Sequence, residues 1–144
     1  MKEHAVRKPP VPVELMLFEA GVQVTRLDYP DETPGESWWE ESRPCLAVNS
    51  RHSGGRLRFT LAHEWGHLLL RHHQRRWEDP AADPVRAPAG VPAAELEANQ
   101  FAGELLMPEV WFRADVERGL TPPQLARRYE VSVEAVRRRL SSLV

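Results

Sequence analysis

The chain is 144 residues long, a length that favours one domain, and its net charge of −2 argues against binding nucleic acid over its whole surface. Its single cysteine, Cys45, cannot form an internal disulfide and is typical of a reducing compartment. No apolar run approaches the roughly 18 residues of a membrane span, and Met1–His4 lead into no signal-peptide core. We therefore expect a cytoplasmic protein without a membrane segment.

The N-terminal third of the chain is predicted to contain one short helix and two strands. Pro12–Ala20 has a proline in its first turn and is followed by Gly21, a pattern typical of a helix. Val22–Leu27 alternates and is rich in β-branched residues, which predicts a strand. Leu46–Asn49 is predicted to be a second short strand, followed by a turn.

Residues 28–41, between the two predicted strands, carry six acidic residues and no basic ones. Two prolines and a glycine interrupt them, and the sequence therefore predicts a mobile acidic loop. Its Trp38–Trp39 pair is either a partner-binding patch or a plug in the core, and the sequence does not decide between them.

The next predicted helix, from Arg56 to about Gln74, contains the motif His63-Glu64-Trp65-Gly66-His67. Histidines four residues apart lie on one face of a helix, where their imidazoles can hold one Zn²⁺. The glutamate beside the first histidine then faces the open side of the metal and can act as a general base. So short a motif also arises by chance, so further support is needed. A catalytic zinc of this type has three protein ligands, and the third should lie elsewhere in the chain.

A second helix, predicted from Pro92 to Met107, offers two glutamates as that third ligand. Glu95 and Glu97 are two residues apart and point in nearly opposite directions, so only one of them can readily be a ligand. Glu95 is favoured, because Asn99 lies four residues later on the same face and can orient a ligating histidine or Glu95 itself. Four leucines and a phenylalanine of these two helices are predicted to be core residues: Leu68, Leu69, Phe101, Leu105 and Leu106.

Residues 74–94 join the two predicted ligand helices and contain prolines at 80, 84, 88 and 92. A loop of this length is either a lid over the site or a simple tether, and the sequence favours neither. His72 and His73 precede it and are candidates for substrate contact rather than metal ligands. The sequence does not assign a residue that stabilises an oxyanion beside the zinc, and His72, His73 and Tyr29 are candidates for that role.

The C-terminal part is predicted to be helical. Residues 109–118 form a helix that ends at Gly119, Thr121 begins a capping box, and Ser132 caps a last helix. The final two helices resemble a helix-turn-helix, with Leu125, Tyr129, Val131 and the stripe at 133, 136, 140 and 143 facing inward. The run Arg137–Arg139 is predicted to be a solvated face, and DNA contact is the less favoured alternative.

Two blocks of the chain together resemble the ImmA/IrrE family of bacterial and phage metallopeptidases. The first block, at 58–70, is R-F-T-L-A-H-E-W-G-H-L-L-L, and the second, at 95–108, is E-x-E-A-N-x-F-A-G-E-L-L-M-P. Together they are far more specific than the zinc motif alone. The chain departs from the family pattern at Trp65, where a small aliphatic residue is usual, and at Arg71, where histidine is frequent.

This resemblance implies that His63, His67 and Glu95 bind Zn²⁺ and that Glu64 is the general base. It also implies an α+β, zincin-like fold with a small antiparallel sheet packed on helices, with a core at 1–108 and a helical segment at 109–144 packed on it. Family members typically cleave Xre-type helix-turn-helix repressors and thereby release phage, mobile-element or stress genes. Some relatives occur in toxin–antitoxin-like pairs, so an antitoxin is a second expected substrate.

The competing interpretation is a metal-stabilised regulatory module that binds a protein partner or DNA through its C-terminal helices without cutting. The arginines of the last helix favour it. The presence of Glu64 favours the peptidase, because a purely structural zinc needs no base and usually has four protein ligands.

Overall fold

The computed structural model describes residues 8–71 and 92–143, and the α+β class predicted from the sequence is confirmed in these ranges. The helices are α1 (Val13–Glu19), α2 (Gly54–Leu69), α3 (Pro92–Leu106), α4 (Glu109–Glu117), α5 (Pro122–Tyr129) and α6 (Val133–Ser142). The strands are β1 (Gln23–Leu27), β2 (Gly35–Glu40) and β3 (Arg43–Asn49). Over these ranges, no helix combines the length and the apolar character that a membrane crossing requires.

The sheet is mixed, and the prediction of an antiparallel sheet was wrong. Its strand order is β1-β3-β2, in which β1 runs parallel to β3 and β2 runs antiparallel to it. The parallel register pairs Gln23 with Cys45 and Leu27 with Asn49. The reason is that β2 lies between β1 and β3 in the chain and reverses its direction, so β3 returns in the same direction as β1.

Strand β2 lies inside the segment predicted to be a mobile acidic loop, and that prediction was also wrong. Glu36 and Glu40 are exposed, whereas Ser37 is only 3% exposed. Trp39 packs against the core, and the guanidinium of Arg71 lies 4.6 Å from the centre of its ring. The acidic residues therefore cover the outer side of a strand whose aromatic residues favour a sheet.

Helix α2 begins and ends earlier than predicted. It ends at Leu69 instead of near Gln74, and Arg71 adopts a left-handed backbone conformation with φ of 59°. Leu69, predicted to be a core residue, is 52% exposed because it lies on the outer side of the last turn. Of the predicted loop at 74–94, only Pro92–Ala94 falls within the described residues, where it forms the start of α3.

A single hydrophobic core joins the sheet to helices from both ends of the chain. Helices α4, α5 and α6 share it with the elements before them, through fully buried residues that include Leu17, Leu46, Leu61, Leu106, Phe112, Leu125, Tyr129 and Val136. The caps predicted for the last two helices are confirmed: Thr121 and Gln124 form a capping box, and the hydroxyl of Ser132 accepts a hydrogen bond from the backbone of Ala135.

Arg139 does not belong to the solvated face predicted for the run of three arginines. It is 8% exposed, and its Nε donates a hydrogen bond to the carbonyl oxygen of Met107 at 3.0 Å. A guanidinium is always charged, so burying it requires such acceptors. Arg139 therefore attaches α6 to the end of α3, while Arg137 and Arg138 remain exposed.

Asp115 is a buried acid that ties α4 to α5. It is 3% exposed, and its Oδ2 accepts hydrogen bonds from the Tyr129 hydroxyl and from Nε of Arg128, each at 2.7 Å. Arg118 donates to the other carboxylate oxygen. Burial alone would raise the pKa of Asp115, but the hydrogen bonds and the neighbouring guanidiniums lower it below its ordinary value.

We expect Asp115→Asn to lower the free energy of unfolding by about 1–3 kcal/mol at pH 7, because it weakens three hydrogen bonds to a charged acceptor. A lowered folded-state pKa gives stability that is complete above the unfolded value of about 4 and is lost as the pH falls through the folded value. Urea unfolding from pH 7 to pH 2 should therefore show that the difference in free energy of unfolding between Asp115→Asn and the wild type becomes smaller as the pH falls. Glu117→Gln, an exposed change on the same helix, is the control. A free-energy difference that does not vary with pH would contradict the expected role of the Asp115 carboxylate.

Gly66 sets the distance between α2 and α3. A Cβ added there would lie 2.9 Å from Cδ1 and 3.2 Å from Cβ of Phe101. We expect Gly66→Ala to be destabilising in thermal unfolding, because overpacking costs about 1–3 kcal/mol and the helical preference of alanine over glycine returns only about 1 kcal/mol. Gly103→Ala on α3 is the matched control, since its nearest neighbour is Cδ of Arg139 at 3.9 Å, and it should be neutral or stabilising. A stable Gly66→Ala variant would mean that α3 can move away at no cost.

Candidate metal centre

Helix α2 presents the two histidines of the motif and the glutamate between them in one cluster. His67 is 3% exposed and Glu64 is 6% exposed, while the His63 side chain is 15% exposed. The potential ligand atoms of these three residues all lie within 4.8 Å of one another. The one-turn spacing of the motif therefore brings its polar groups together on the buried side of the helix.

Helix α3 brings Glu95 to the same point. Its Oε2 lies 2.9 Å from Nε2 of His63, its Oε1 lies 3.4 Å from Nε2 of His67, and the two Nε2 atoms are 3.1 Å apart. Ligand atoms about 2.0–2.1 Å from a tetrahedral zinc stand roughly 3.3 Å from each other. The two Nε2 atoms and the Glu95 carboxylate therefore have a spacing close to that of three ligands in a zinc coordination shell.

Either glutamate of the cluster, Glu64 or Glu95, could complete a set of three with the histidines. Glu95 is the better ligand, because its carboxylate meets both Nε2 atoms directly. Glu64 instead accepts a hydrogen bond from the hydroxyl of Ser37 on β2. Among the described residues, the wall of the cleft at this point includes Glu95 and not Glu97, so the structure places beside the histidines the glutamate that helical phase favoured, and its role as a ligand stays a prediction.

Asn99, one turn after Glu95, lies against the far side of His63. Its Oδ1 is 2.8 Å from Nδ1 of His63. An amide oxygen can only accept, so Nδ1 of His63 carries a proton, and in the neutral imidazole Nε2 therefore has the lone pair that faces Glu95 and His67. This is the tautomer that a metal requires, and the position of Asn99 suits the supporting role predicted for it.

The ionisable groups of the cluster shift one another's pKa values. Burial lowers the pKa of His63, but Glu95, Glu64 and Asn99 together raise it above its ordinary value. Burial raises the pKa of Glu95, but the hydrogen bonds from His63 and His67 outweigh it and lower that pKa to about 2. Burial also dominates at Glu64, whose pKa is raised despite the two histidines and Ser37. A cation held here would relieve the cost of placing these carboxylates close together.

The cleft above the centre encloses about 500 Å³. Its described walls include three side chains of α2 and two of α6 that sequence reasoning did not assign to the site: Arg56, Phe59, Thr60, Glu134 and Arg138. Sequence reasoning also missed Ser37, because the strand that carries it was taken for a loop. No local sequence pattern reveals that α6 approaches α2, because the residues in contact are about 80 positions apart in the chain.

Of the three residues named as further candidates, Tyr29 alone is among the described residues, and it does not line the cleft. His72 and His73 fall outside the described residues. Tyr29 is half-buried, and its hydroxyl donates a hydrogen bond to Oε2 of Glu36 at 2.6 Å. Burial and the neighbouring carboxylates, including Glu64, raise the pKa of Tyr29, so its hydroxyl keeps its proton.

Comparison with known proteins agrees with the resemblance found in the two sequence blocks. The model of the Peptidase_M78 family, described as the IrrE N-terminal-like domain, matches residues 18–141. No curated protein matches the chain. Among solved structures, a Mycobacterium tuberculosis transcriptional regulator is similar with a TM-score of 0.67 and 25% sequence identity. The similarity covers 97% of this chain and 43% of that regulator, so this chain spans less than half of its length.

Replacing Glu95 or Glu97 on α3 tests the ligand set. We expect the wild type and Glu97→Gln to retain one zinc per chain after reconstitution and dialysis, measured by elemental analysis. Glu95→Gln should lose zinc affinity by more than the roughly 100-fold that loss of a supporting contact can cost, because it removes a charged ligand. Equal zinc content in the two variants, or none in the wild type, would show that this ligand set is wrong.

Proposed function

Since this chain belongs to the Peptidase_M78 family of IrrE N-terminal-like domains, we propose that it is a zinc-dependent endopeptidase. The observation that carries the proposal is the convergence of two imidazole nitrogens and one carboxylate beside a buried glutamate. Three protein ligands leave one position of a tetrahedral shell for water or substrate, which is typical of catalytic rather than structural zinc. His63, His67 and Glu95 would hold the metal.

Zinc would supply Lewis acidity, which polarises a peptide carbonyl and makes water more acidic. Glu64 takes the proton of the attacking water and delivers it to the departing amine. The raised pKa of Glu64 supports this role, because a carboxylate in an apolar surrounding is a stronger base than one in water. The hydrogen bond from Ser37 keeps the carboxylate oriented, and Asn99 keeps His63 in the required tautomer.

We propose a protein of gene regulation as the substrate, specifically an Xre-type helix-turn-helix repressor or an antitoxin. Two points support it: the family resemblance and the similar Mycobacterium tuberculosis protein, which is called a transcriptional regulator. Cleavage would release the genes that such a repressor controls in phage, mobile-element or stress regulation. A cytoplasmic location is part of the proposal, because both candidate substrates act at bacterial DNA.

The non-catalytic alternative predicts a metal that needs no base and C-terminal helices that bind a protein partner or DNA. A glutamate suited to the role of base stands beside the histidines, and the hydrogen bond to Met107 removes Arg139 from the surface that would meet DNA. These two features support the peptidase over the binding module.

Glu64→Gln separates metal binding from chemistry. We expect it to keep one zinc per chain and to cut a purified Xre-type repressor about 10²–10⁴ times more slowly than the wild type, because the amide cannot accept the proton of water. Gel-based cleavage rates together with zinc content measure both properties. Glu97→Gln is the control and should cut at the wild-type rate. If Glu64→Gln cuts as fast as the wild type, Glu64 is not the base.

A further inference from the structure

The turn between α5 and α6 is seated directly on the first turns of α2. A Cβ added at Gly55 would lie 2.8 Å from the carbonyl carbon of Val131, so only glycine leaves room for this contact. Nε of Arg58 donates a hydrogen bond to the carbonyl oxygen of Glu130 at 3.0 Å. These contacts fix the N-terminus of α6 at the edge of the metal centre.

One face of α6 therefore belongs to the cleft. Glu134, Ala135 and Arg138 line it opposite the residues of α2 and α3 that surround the candidate metal centre. A second cavity of about 660 Å³ continues between α3 and α6 toward Leu143. The two cavities share four lining residues and form one groove that leads away from the centre: Phe59, Asn99, Ala135 and Arg138.

The shape and lining of this groove suit an extended polypeptide. Its outer part offers apolar contacts from Phe59, Leu96 and Leu143, and Leu96 is 61% exposed. Gln100 and Ser141 stand beside them, together with Glu104 and with Glu109, whose carboxylate is paired with Arg113. An acidic side chain of a bound chain is therefore received at Arg138 and not along the whole groove. An extended chain presents side chains to alternate sides, so it can bury apolar groups here while its backbone reaches the metal centre.

Arg138 lies where the two cavities meet, and its charge is available to a ligand. Its side chain is 64% exposed, and its partner Glu134, four residues earlier, is 72% exposed. Such exposed pairs within one helix contribute little free energy, so a carboxylate of a bound chain can replace Glu134. Arg56, 57% exposed, adds a second guanidinium from the opposite wall. A planar guanidinium binds carboxylates through two hydrogen bonds.

The same placement disfavours α6 as a reader of DNA. A recognition helix inserts the residues near its N-terminus into the major groove. Here those residues line the cleft, and Glu134 would place a negative charge against the phosphates. Of the three arginines, Arg139 is buried and Arg138 faces the groove.

We propose that α6 forms the specificity wall of the substrate groove and that Arg138 binds an acidic side chain of the polypeptide close to the scissile bond. This proposal rests on the proposed peptidase function, whose site it extends. Arg138 touches substrate in this arrangement and determines which sequences are selected.

The test measures binding separately from cutting. Zinc-loaded Glu64→Gln protein is titrated into fluorescein-labelled pools of random 12-residue peptides enriched in Glu, Gln or Lys, and anisotropy is recorded. We expect the Glu pool to bind best. Adding Arg138→Gln should lower its affinity about fivefold, the upper range for an exposed ion pair. Arg138→Glu should shift the preference to the Lys pool, and Glu134→Gln should strengthen binding of the Glu pool by removing the internal competitor.

Arg137→Gln is the matched control, because Arg137 is exposed on the same helix and is not among the lining residues of either cavity. It should leave all three affinities unchanged. Equal effects of Arg137→Gln and Arg138→Gln, or no preference among the pools, would overturn the proposal. So would strong binding of random duplex DNA that Arg138→Gln weakens.

Parallel digestion of the Glu pool by the wild-type protein distinguishes the proposed peptidase function from the proposed specificity wall. Cutting without any effect of Arg138→Gln would leave the peptidase intact and reject the specificity wall. The expected binding pattern without any cutting would reject the peptidase and leave the groove as a site for acidic polypeptides.

Discussion

The close packing of α2 against α3 is the constraint on which the site depends. Helix α3 packs against α2, and its Ala94, Ala98 and Ala102 are each fully buried and four residues apart. On the other helix, Gly66 leaves the space that Phe101 occupies. Each of the first two alanines is followed by a polar residue of the site, Glu95 and Asn99. The small residues thus let the helices approach, and the residue after each one emerges at the rim of the interface beside His63.

This arrangement concentrates charge where the fold would be more stable without it. Glu64 is nearly buried, and its surroundings raise its pKa, which means that they disfavour its ionised form. Glu95 remains ionised because its carboxylate accepts hydrogen bonds from His63 and His67 when their Nε2 atoms carry a proton. Polar groups placed in this way cost folding free energy, and proteins retain them where they serve a function. A bound cation would offset that cost and would couple metal binding to stability.

Much of the site was predictable because it depends on helical periodicity. The motif on α2, the choice of Glu95 over Glu97 and the position of Asn99 all follow from a spacing of four residues along one helix. The caps at Thr121 and Ser132 are equally local. Strand β2, the parallel pairing of β1 with β3 and the burial of Arg139 depend on contacts between distant segments. Nothing in the residues around Glu36 or Arg139 records those contacts, so charge alone suggested a loop and a solvated face.

The placement of α6 shows why a sequence resemblance to a helix-turn-helix does not establish DNA binding. Helix α2 uses most of its surface for the core and the metal ligands, through Leu57, Leu61, Trp65 and Leu68. It therefore contributes few exposed side chains with which to choose a substrate. Helix α2 adds one exposed charged residue to the cleft, Arg56, whereas α6 adds two, Glu134 and Arg138, and is therefore the larger source of selectivity by charge. The same helix can thus keep the capping pattern and apolar stripe of a DNA-reading fold while its outer face serves a different ligand.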